Sequence, residues 1–280
     1  MFSNTDIAEY YDTTQNHYEK WWGLKKHHSL HYGIWDKTTR NFGEALENTN
    51  RQLMQAAAIQ STDKVLDAGC GVGGAALFVH RNSGANATGI SLSDNQVQQA
   101  NSTAEKLGVN DAVQFKVMDF TATSFPDESF DVIWACESVC HATEKADFIN
   151  ESYRLLRKGG RMVLFDFFLT PKGVEDKRGW IDKWKRTWAV PDFVTDEYFT
   201  EKTREAGFSE VENRDYTPNI RKSARRMLYG SMLGVSFAEG YALLHPDVSR
   251  FARDHYKCGY YQYRALRQNL WKYRLIKAVK

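Results

Sequence analysis

Residues 65–74 read VLDAGCGVGG, an apolar run of strand length that closes on an acid and then breaks into glycines. Gly69, Gly71 and Gly74 fit the pattern G-x-G-x-x-G, in which the backbone can approach a nucleotide and the following helix presents its positive N-terminus. Working outward, KVLDAG, NATGIS, VQFKVMDF, FDVIWAC and GRMVLFDFF are five apolar runs of strand length. Between them AALFVHR, DNQVQQANSTAEKLG and EKADFINESYRLLRKGG have apolar residues at helical spacing, the last two closing on glycine. Strands and helices that alternate over such short connections predict a parallel α/β sheet with helices on both faces.

At 280 residues the chain can bury a large core. Cys70, Cys136, Cys140 and Cys258 show no C-x-x-C pairing or secreted framework, which gives no reason for disulfides and points to a reducing, cytoplasmic setting. The opening MFSNTDIAEYYD is acidic and polar, unlike an export signal, and no run of about 18 apolar residues occurs. Charge is uneven: residues 221–280 hold 13 Lys or Arg against 3 Asp or Glu. The ordinary source of such a bias is the solvated side of a packed helix and strand. An anionic substrate or peripheral contact with a membrane stays open, and salt-sensitive binding to anionic vesicles is expected if 221–244 forms a basic amphipathic helix. No helix-turn-helix, zinc finger or RNA-binding signature accompanies the bias, so nucleic acid is not an expected partner.

The glycine pattern alone does not choose its nucleotide, but three neighbours do. Asp67, two residues before Gly69, would attract an ammonium or sulfonium and repel a pyrophosphate. The strand ATGIS ends at Ser91 with the next acid only at Asp94, where a dehydrogenase needs an acid on the ribose about 20 residues after the loop. The third strand runs out in Met118-Asp119-Phe120, a carboxylate and a ring suited to an adenine. Together they favour S-adenosylmethionine (SAM) over NAD.

On these residues, Lys64 to Phe168 resembles the class I SAM-dependent methyltransferases, with VLDAGCGVGG, TGISLSDNQV and MDF as successive motifs. More narrowly it resembles the branch holding sterol and tocopherol C-methyltransferases and sarcosine-type N-methyltransferases. GISLS, ACESVCHATEK, and YEKWWG with SLHYGIWD carry that likeness. The resemblance implies a Rossmann-like class I methyltransferase fold with a mostly parallel seven-stranded sheet. It would have an N-terminal aromatic-rich cap (1–60), a SAM-binding core (61–170), a substrate-covering insertion after the fifth strand (171–245) and a C-terminal part completing the sheet (246–280). It further implies Asp67, Gly69 and Gly71 at the methionine end of SAM, Asp119 and Phe120 at the adenine, and Tyr18 among the cofactor contacts. Ser91 stands where many members have a ribose-binding acid, which makes Ser91, Ser93 and Gln96 the candidate ribose contacts.

Methyl transfer is an in-line displacement, so alignment and exclusion of water supply much of the rate. A base is useful when the acceptor must lose a proton. Glu137 and His141 follow the fourth strand, at the end where ligands of open α/β sheets gather, and their spacing of four puts both on one side of a helical turn. They are the candidate catalytic residues. Tyr10, Trp21, Trp22 and Tyr32 in the entry region, with Trp184 and Trp188, are candidate walls for an apolar or cationic acceptor. Trp180, Trp184 and Trp188 also form the stripe expected of a core-facing helix. His27, His28 and His31 lack a complementary ligand set, and no metal is expected.

The reading is a SAM-dependent methyltransferase acting on a small lipophilic acceptor (isoprenoid, sterol-like or quinol-like), at carbon. A small amine is the rival acceptor, and a prenyl diphosphate another, with Arg221, Lys222, Arg225 and Arg226 receiving the phosphates. An NAD-dependent oxidoreductase and a non-catalytic SAM-binding protein are the readings from other classes.

Overall fold

The computed structural model describes residues 2–21, 24–244 and 249–280, and side chains other than those of 15–21, 25–26, 236–244 and 250. Three helices come first: α1 (Asn4–Trp21), α2 (Leu24–His27) and α3 (Phe42–Ala56). The regular alternation follows as β1 (Lys64–Ala68), α4 (Gly74–Ser83), β2 (Asn86–Ser91), α5 (Asp94–Lys106), β3 (Val113–Val117), β4 (Phe130–Cys136), α6 (Lys145–Leu155) and β5 (Leu156–Leu169). The remainder is α7 (Pro171–Val174), α8 (Trp180–Thr187), α9 (Asp196–Glu205), β6 (Ser209–Asp215), α10 (Arg221–Leu244), α11 (Arg250–Asp254), α12 (Lys257–Arg267) and β7 (Trp271–Val279). Among the described residues no helix is long and apolar enough to cross a membrane.

The sheet has seven strands in the order β3-β2-β1-β4-β5-β7-β6, with β7 antiparallel to both neighbours and the other pairs parallel. Because side chains alternate along a strand, consecutive apolar residues feed opposite layers. Val65, Val132 and Val163 enter one buried cluster, and Leu66, Ile133 and Leu164 the other. Both faces are thereby covered, as an unbroken apolar strand requires. The order of connection reverses between β1 and β4, and the crevice beyond their C-terminal ends is where such sheets bind ligands.

Local signals set the helix starts. Ser93 Oγ accepts the Gln96 N–H at 3.1 Å and caps α5, while Asn41 and Glu44 cap α3 reciprocally. The third strand stops at Val117, which leaves Met118-Asp119-Phe120 just past its end.

The expected division after the fifth strand needs correction. The span 171–245 is no single insertion: α9 packs on α6 and β6, and β6 is the sheet's edge strand. Conversely, 246–280 contributes only β7 to the sheet, because α12 packs against α10 and α8. The cover over the sheet is thus built from α8 and α10–α12. Within it Trp184 is wholly buried, against Phe167, Phe193 and Trp271.

Candidate active site

A cavity of about 280 Å³ opens at the β1/β4 reversal. The loops after β1, β2, β3 and β4 supply its floor, while α1, residues 28–31 and Trp188 supply its roof. Five carboxylates line it, from Asp67, Asp119, Glu137, Glu144 and Asp147, and no Lys or Arg is among its described lining residues. Such a cavity favours a cation over an anion.

At the glycine loop, the Gly69 and Cys70 N–H groups both donate to Ile90 O, at 3.0 and 2.9 Å, which turns the chain out of β1. Gly69 has φ +92°, and a Cβ there would run into Ser138, whose Oγ would stand 2.9 Å away. Ser138 Oγ donates to Ala68 O at 2.5 Å, so the loops after β1 and β4 are held as one unit. Asp67 accepts the Ala76 N–H from the first turn of α4, yet its Oδ2 is buried with no hydrogen-bond partner. Burial pushes its carboxyl up to about 7, with the Ala76 N–H opposing. A buried carboxylate oxygen with no hydrogen-bond partner beside a glycine turn has the chemistry to receive a cationic donor.

Farther along the floor, Ser91 Oγ donates to Gln96 Oε1 at 2.9 Å. Asp119 accepts Thr121 N–H and O–H on Oδ1 at 2.8 and 2.7 Å, and the Asn4 amide on Oδ2 at 2.6 Å. Phe120 stands edge-to-face against Phe148, which fixes its ring beside Asp119.

Beyond β4, Glu137 is held in the left-handed region at φ +54°, a strained conformation for a residue with a Cβ. Two donors from distant elements meet on its Oε1, the Tyr32 N–H at 2.6 Å and the Tyr273 O–H at 2.7 Å. With both bonds on Oε1, Oε2 is the oxygen that serves the cavity. Burial pushes this carboxyl up to about 8, with the Tyr273 and Tyr32 bonds opposing and the Asp166 charge adding.

His141 closes the single 3₁₀ turn Val139–His141. Its Nδ1 faces Ala189 O at 3.2 Å, and since a carbonyl only accepts, Nδ1 carries the proton. Nε2 therefore accepts the Tyr11 O–H at 2.9 Å, and burial holds the imidazole neutral, its pKa lowered to about 4. The turn is clamped by Asp166, which accepts the Cys140 N–H at 3.0 Å. Lys145 adds a second clamp, with Nζ donating to the carbonyls of Cys140, Ala142 and Asp192 at 2.6–2.9 Å.

The structure thus brings Asp67, Gly69, Gly71, Ser91, Gln96, Asp119, Phe120, Glu137, His141 and Trp188 to one cavity. Tyr10, Tyr32 and Trp184 do not line it. Tyr10 is buried with its hydroxyl on His255, Tyr32 with its hydroxyl on Gln262, and Trp184 is core, the outcome its helical stripe also allowed. The side chains of Tyr18, Trp21 and Trp22 lie outside the described residues. Arg221, Lys222, Arg225 and Arg226 are all exposed on α10 and outside the cavity, which removes them as a diphosphate receptor for it.

Sequence reasoning missed four partners. Asn4 reaches Asp119, Tyr11 reaches His141, Asp12 Oδ1 accepts the Ser93 hydroxyl at 2.5 Å, and Tyr273 holds Glu137. The first three share one face of α1 at spacings of seven and eight, a signal present in the sequence. Nothing local marks Tyr273.

The buried Glu137 carboxyl has a measurable consequence for stability. The folded pKa of Glu137 lies above its ordinary 4.5, so the native state keeps a proton the unfolded chain has released, and that contribution to stability is lost as pH rises toward 8. His141 acts in the opposite direction, but only below its ordinary 6.5, where the unfolded chain gains a proton the native state refuses. Between pH 6.5 and 8 the carboxyls therefore dominate. Urea denaturation should show stability falling by about 2 kcal/mol over that window on account of Glu137. In Glu137→Gln the slope should shrink by that amount, and equal slopes in the two proteins would reject the protonated carboxyl.

Comparison with known proteins fits this geometry. Residues 66–164 match the family model described as a methyltransferase domain. The 27-O-demethylrifamycin SV methyltransferase of Amycolatopsis mediterranei is 36% identical over 166 residues, which are 59% of this chain and 60% of that enzyme. The sterol 24-C-methyltransferase of Eremothecium gossypii is 34% identical over 167 residues, 60% of this chain and 43% of that enzyme. The match spans less than two thirds of either relative. Among solved structures, the 4+2 cyclase SpnF superposes with a TM-score of 0.83 at 22% identity, over 99% of this chain and 96% of that one. At that identity the likeness is one of fold.

Proposed function

We propose that this chain, which carries a methyltransferase domain over residues 66–164, binds SAM in the cavity at the β1/β4 reversal and methylates a small, uncharged lipophilic acceptor at carbon. The observation that carries the reading is a single cavity that joins an unpaired buried carboxylate at a glycine turn to the Glu137 and His141 pair, with no Lys or Arg among the described residues lining it. The residues present fit SAM: Asp67 would take the ammonium, the Gly69–Gly71 turn the methionine backbone, Ser91 and Gln96 the ribose, and Asp119 with Phe120 the adenine. When bound, SAM supplies an electrophilic methyl group.

The chain's own residues supply the remaining chemistry. Trp188 and Tyr11 bracket His141 edge-on, at ring separations of 5.1 and 5.5 Å, and give the roof an apolar, π-faced lining able to seat a hydrocarbon and exclude water. Methylation of an alkene carbon leaves a cation on the neighbouring carbon. Glu137 Oε2 then takes an adjacent proton, and the C–H electron pair restores a double bond. The Tyr32 N–H and Tyr273 O–H fix Oε1 and aim the carboxylate. His141, neutral and tautomerically fixed, positions the Tyr11 hydroxyl in the roof. A diphosphate acceptor is disfavoured because the lining carboxylates repel it and the basic residues of α10 stand outside. A small amine is the second reading, supported by the same acidic lining.

Titration calorimetry with S-adenosylhomocysteine, beside NAD(H), tests the cofactor. Binding of the former alone is expected, and binding of NAD(H) alone would overturn the reading. Methyl transfer from labelled SAM to a neutral isoprenoid, a prenyl diphosphate and an amine then orders the acceptors. A preference for the diphosphate would sink the charge argument.

A further inference from the structure

The cover helix α10 has an outer face that neither the cavity nor the core uses. Its first fifteen residues, RKSARRMLYGSMLGV, hold four cations and no acid. Lys222, Arg225, Arg226, Tyr229, Met232 and Leu233 are spaced by three and four, so at 100° per residue they share one face. All six are exposed, with Tyr229, Met232 and Leu233 at 57%, 60% and 64%. The opposite side is buried: Ser223 Oγ accepts the Trp35 indole N–H at 2.9 Å and Met227 packs under Gly259 of α12. The face is therefore fixed in place by packing behind it. Contiguous exposed apolar side chains on one rigid face mark a contact surface, and a cationic strip directly before them selects an anionic partner.

We propose that α10 docks this protein on the surface of an anionic phospholipid bilayer. Tyr229, Met232 and Leu233 enter the headgroup boundary, while Lys222, Arg225 and Arg226 meet lipid phosphates and carboxylates. Two of these cations are held by rings beneath them, Lys222 Nζ 4.8 Å from the Trp35 centroid and the Arg226 guanidinium carbon 4.6 Å from that of Phe42. This geometry suits a helix that rests on a membrane, not one that spans it. Charge selects the occupant: an apolar patch alone would suit a second copy of the chain, but two such faces would bring their cations together. The inner side of the same helix connects to the cavity through Tyr32, because Met227 Sδ stands 3.6 Å from the Tyr32 hydroxyl and the Tyr32 N–H holds Glu137.

Sedimentation of the full chain with large vesicles tests the proposal without any methyl acceptor. Vesicles of phosphatidylcholine mixed with phosphatidylserine should bind the protein at low salt, with affinity falling at least about tenfold at about 0.5 M NaCl, and vesicles of phosphatidylcholine alone should bind it weakly. Lys222→Gln and Arg225→Gln should each weaken binding about fivefold, and Met232→Ser with Leu233→Ser more than about tenfold. Because all four side chains are exposed and outside the cavity, thermal midpoint and S-adenosylhomocysteine binding should stay as in the parent, which separates lost docking from lost fold. Absence of binding at low salt, or binding indifferent to both sets of substitutions, would overturn it. A concentration-dependent dimer that Met232→Ser and Leu233→Ser dissociate would also overturn it, in favour of a second copy as occupant.

Discussion

Glu137→Gln is expected to lower kcat for methyl transfer by about 10²- to 10⁴-fold while S-adenosylhomocysteine affinity stays within a few-fold of the parent. The amide keeps the shape of the side chain and an oxygen for the Tyr32 N–H and Tyr273 O–H, so the loop should hold. It cannot take a proton. The carboxyl is pushed up to about 8 by burial, so in the parent kcat/KM should climb with pH toward a plateau near that value. A cation brought into the cavity shifts the equilibrium toward the carboxylate, and kcat should reach its plateau at a lower pH than kcat/KM. The residual activity of Glu137→Gln should lose this limb. Tyr273→Phe removes one of the two donors on Oε1, and should displace the pH profile while leaving measurable turnover. Unchanged turnover in Glu137→Gln would remove the residue from catalysis and leave it as a strained buried acid.

Gly69→Ala is expected to abolish cofactor binding in the micromolar range and to destabilise the fold by roughly 2–6 kcal/mol. Two costs combine. The residue sits at φ +92°, where a Cβ is strained, and that Cβ would run into Ser138. Ser138 cannot retreat without losing its hydrogen bond to Ala68 O, and it directly follows Glu137. The substitution therefore displaces the loops after β1 and β4 together. At Gly71 a Cβ would meet nothing nearer than Leu30 Cδ1 at 3.7 Å, so the crowding component is absent there and Gly71→Ala should be the milder variant. Urea denaturation and calorimetry with S-adenosylhomocysteine distinguish the two. Equal, small losses at both positions would show that the loops are not locked.

The alternation from β1 to β5 was legible because each element carries its own signal. Ser93 opens α5 with a local hydrogen bond, and the strands are apolar runs too short to be helices. The place of β6 was not legible, since SEVENRD is an exposed edge strand with no apolar run. Aromatic content pointed to the entry region as a wall of the site, yet it could not separate Tyr11, which meets His141, from Tyr10 beside it, which meets His255. Neighbours on a helix point about 100° apart, and only the packing of α1 decides which faces the cavity.

By itself the sequence determined the glycine turn after β1, the acid that precedes it, and the placing of Glu137 and His141 past a β-strand, because each is written in a few adjacent residues. Only the tertiary structure decided what those groups are. Burial in the assembled interior raises the Glu137 carboxyl against the opposing bonds from Tyr32 and Tyr273, 105 and 136 residues away, and burial likewise keeps His141 neutral against the opposing bond to Ala189 O. Protonation follows from solvation and partners, and both are properties of the assembled interior and not of the local chain.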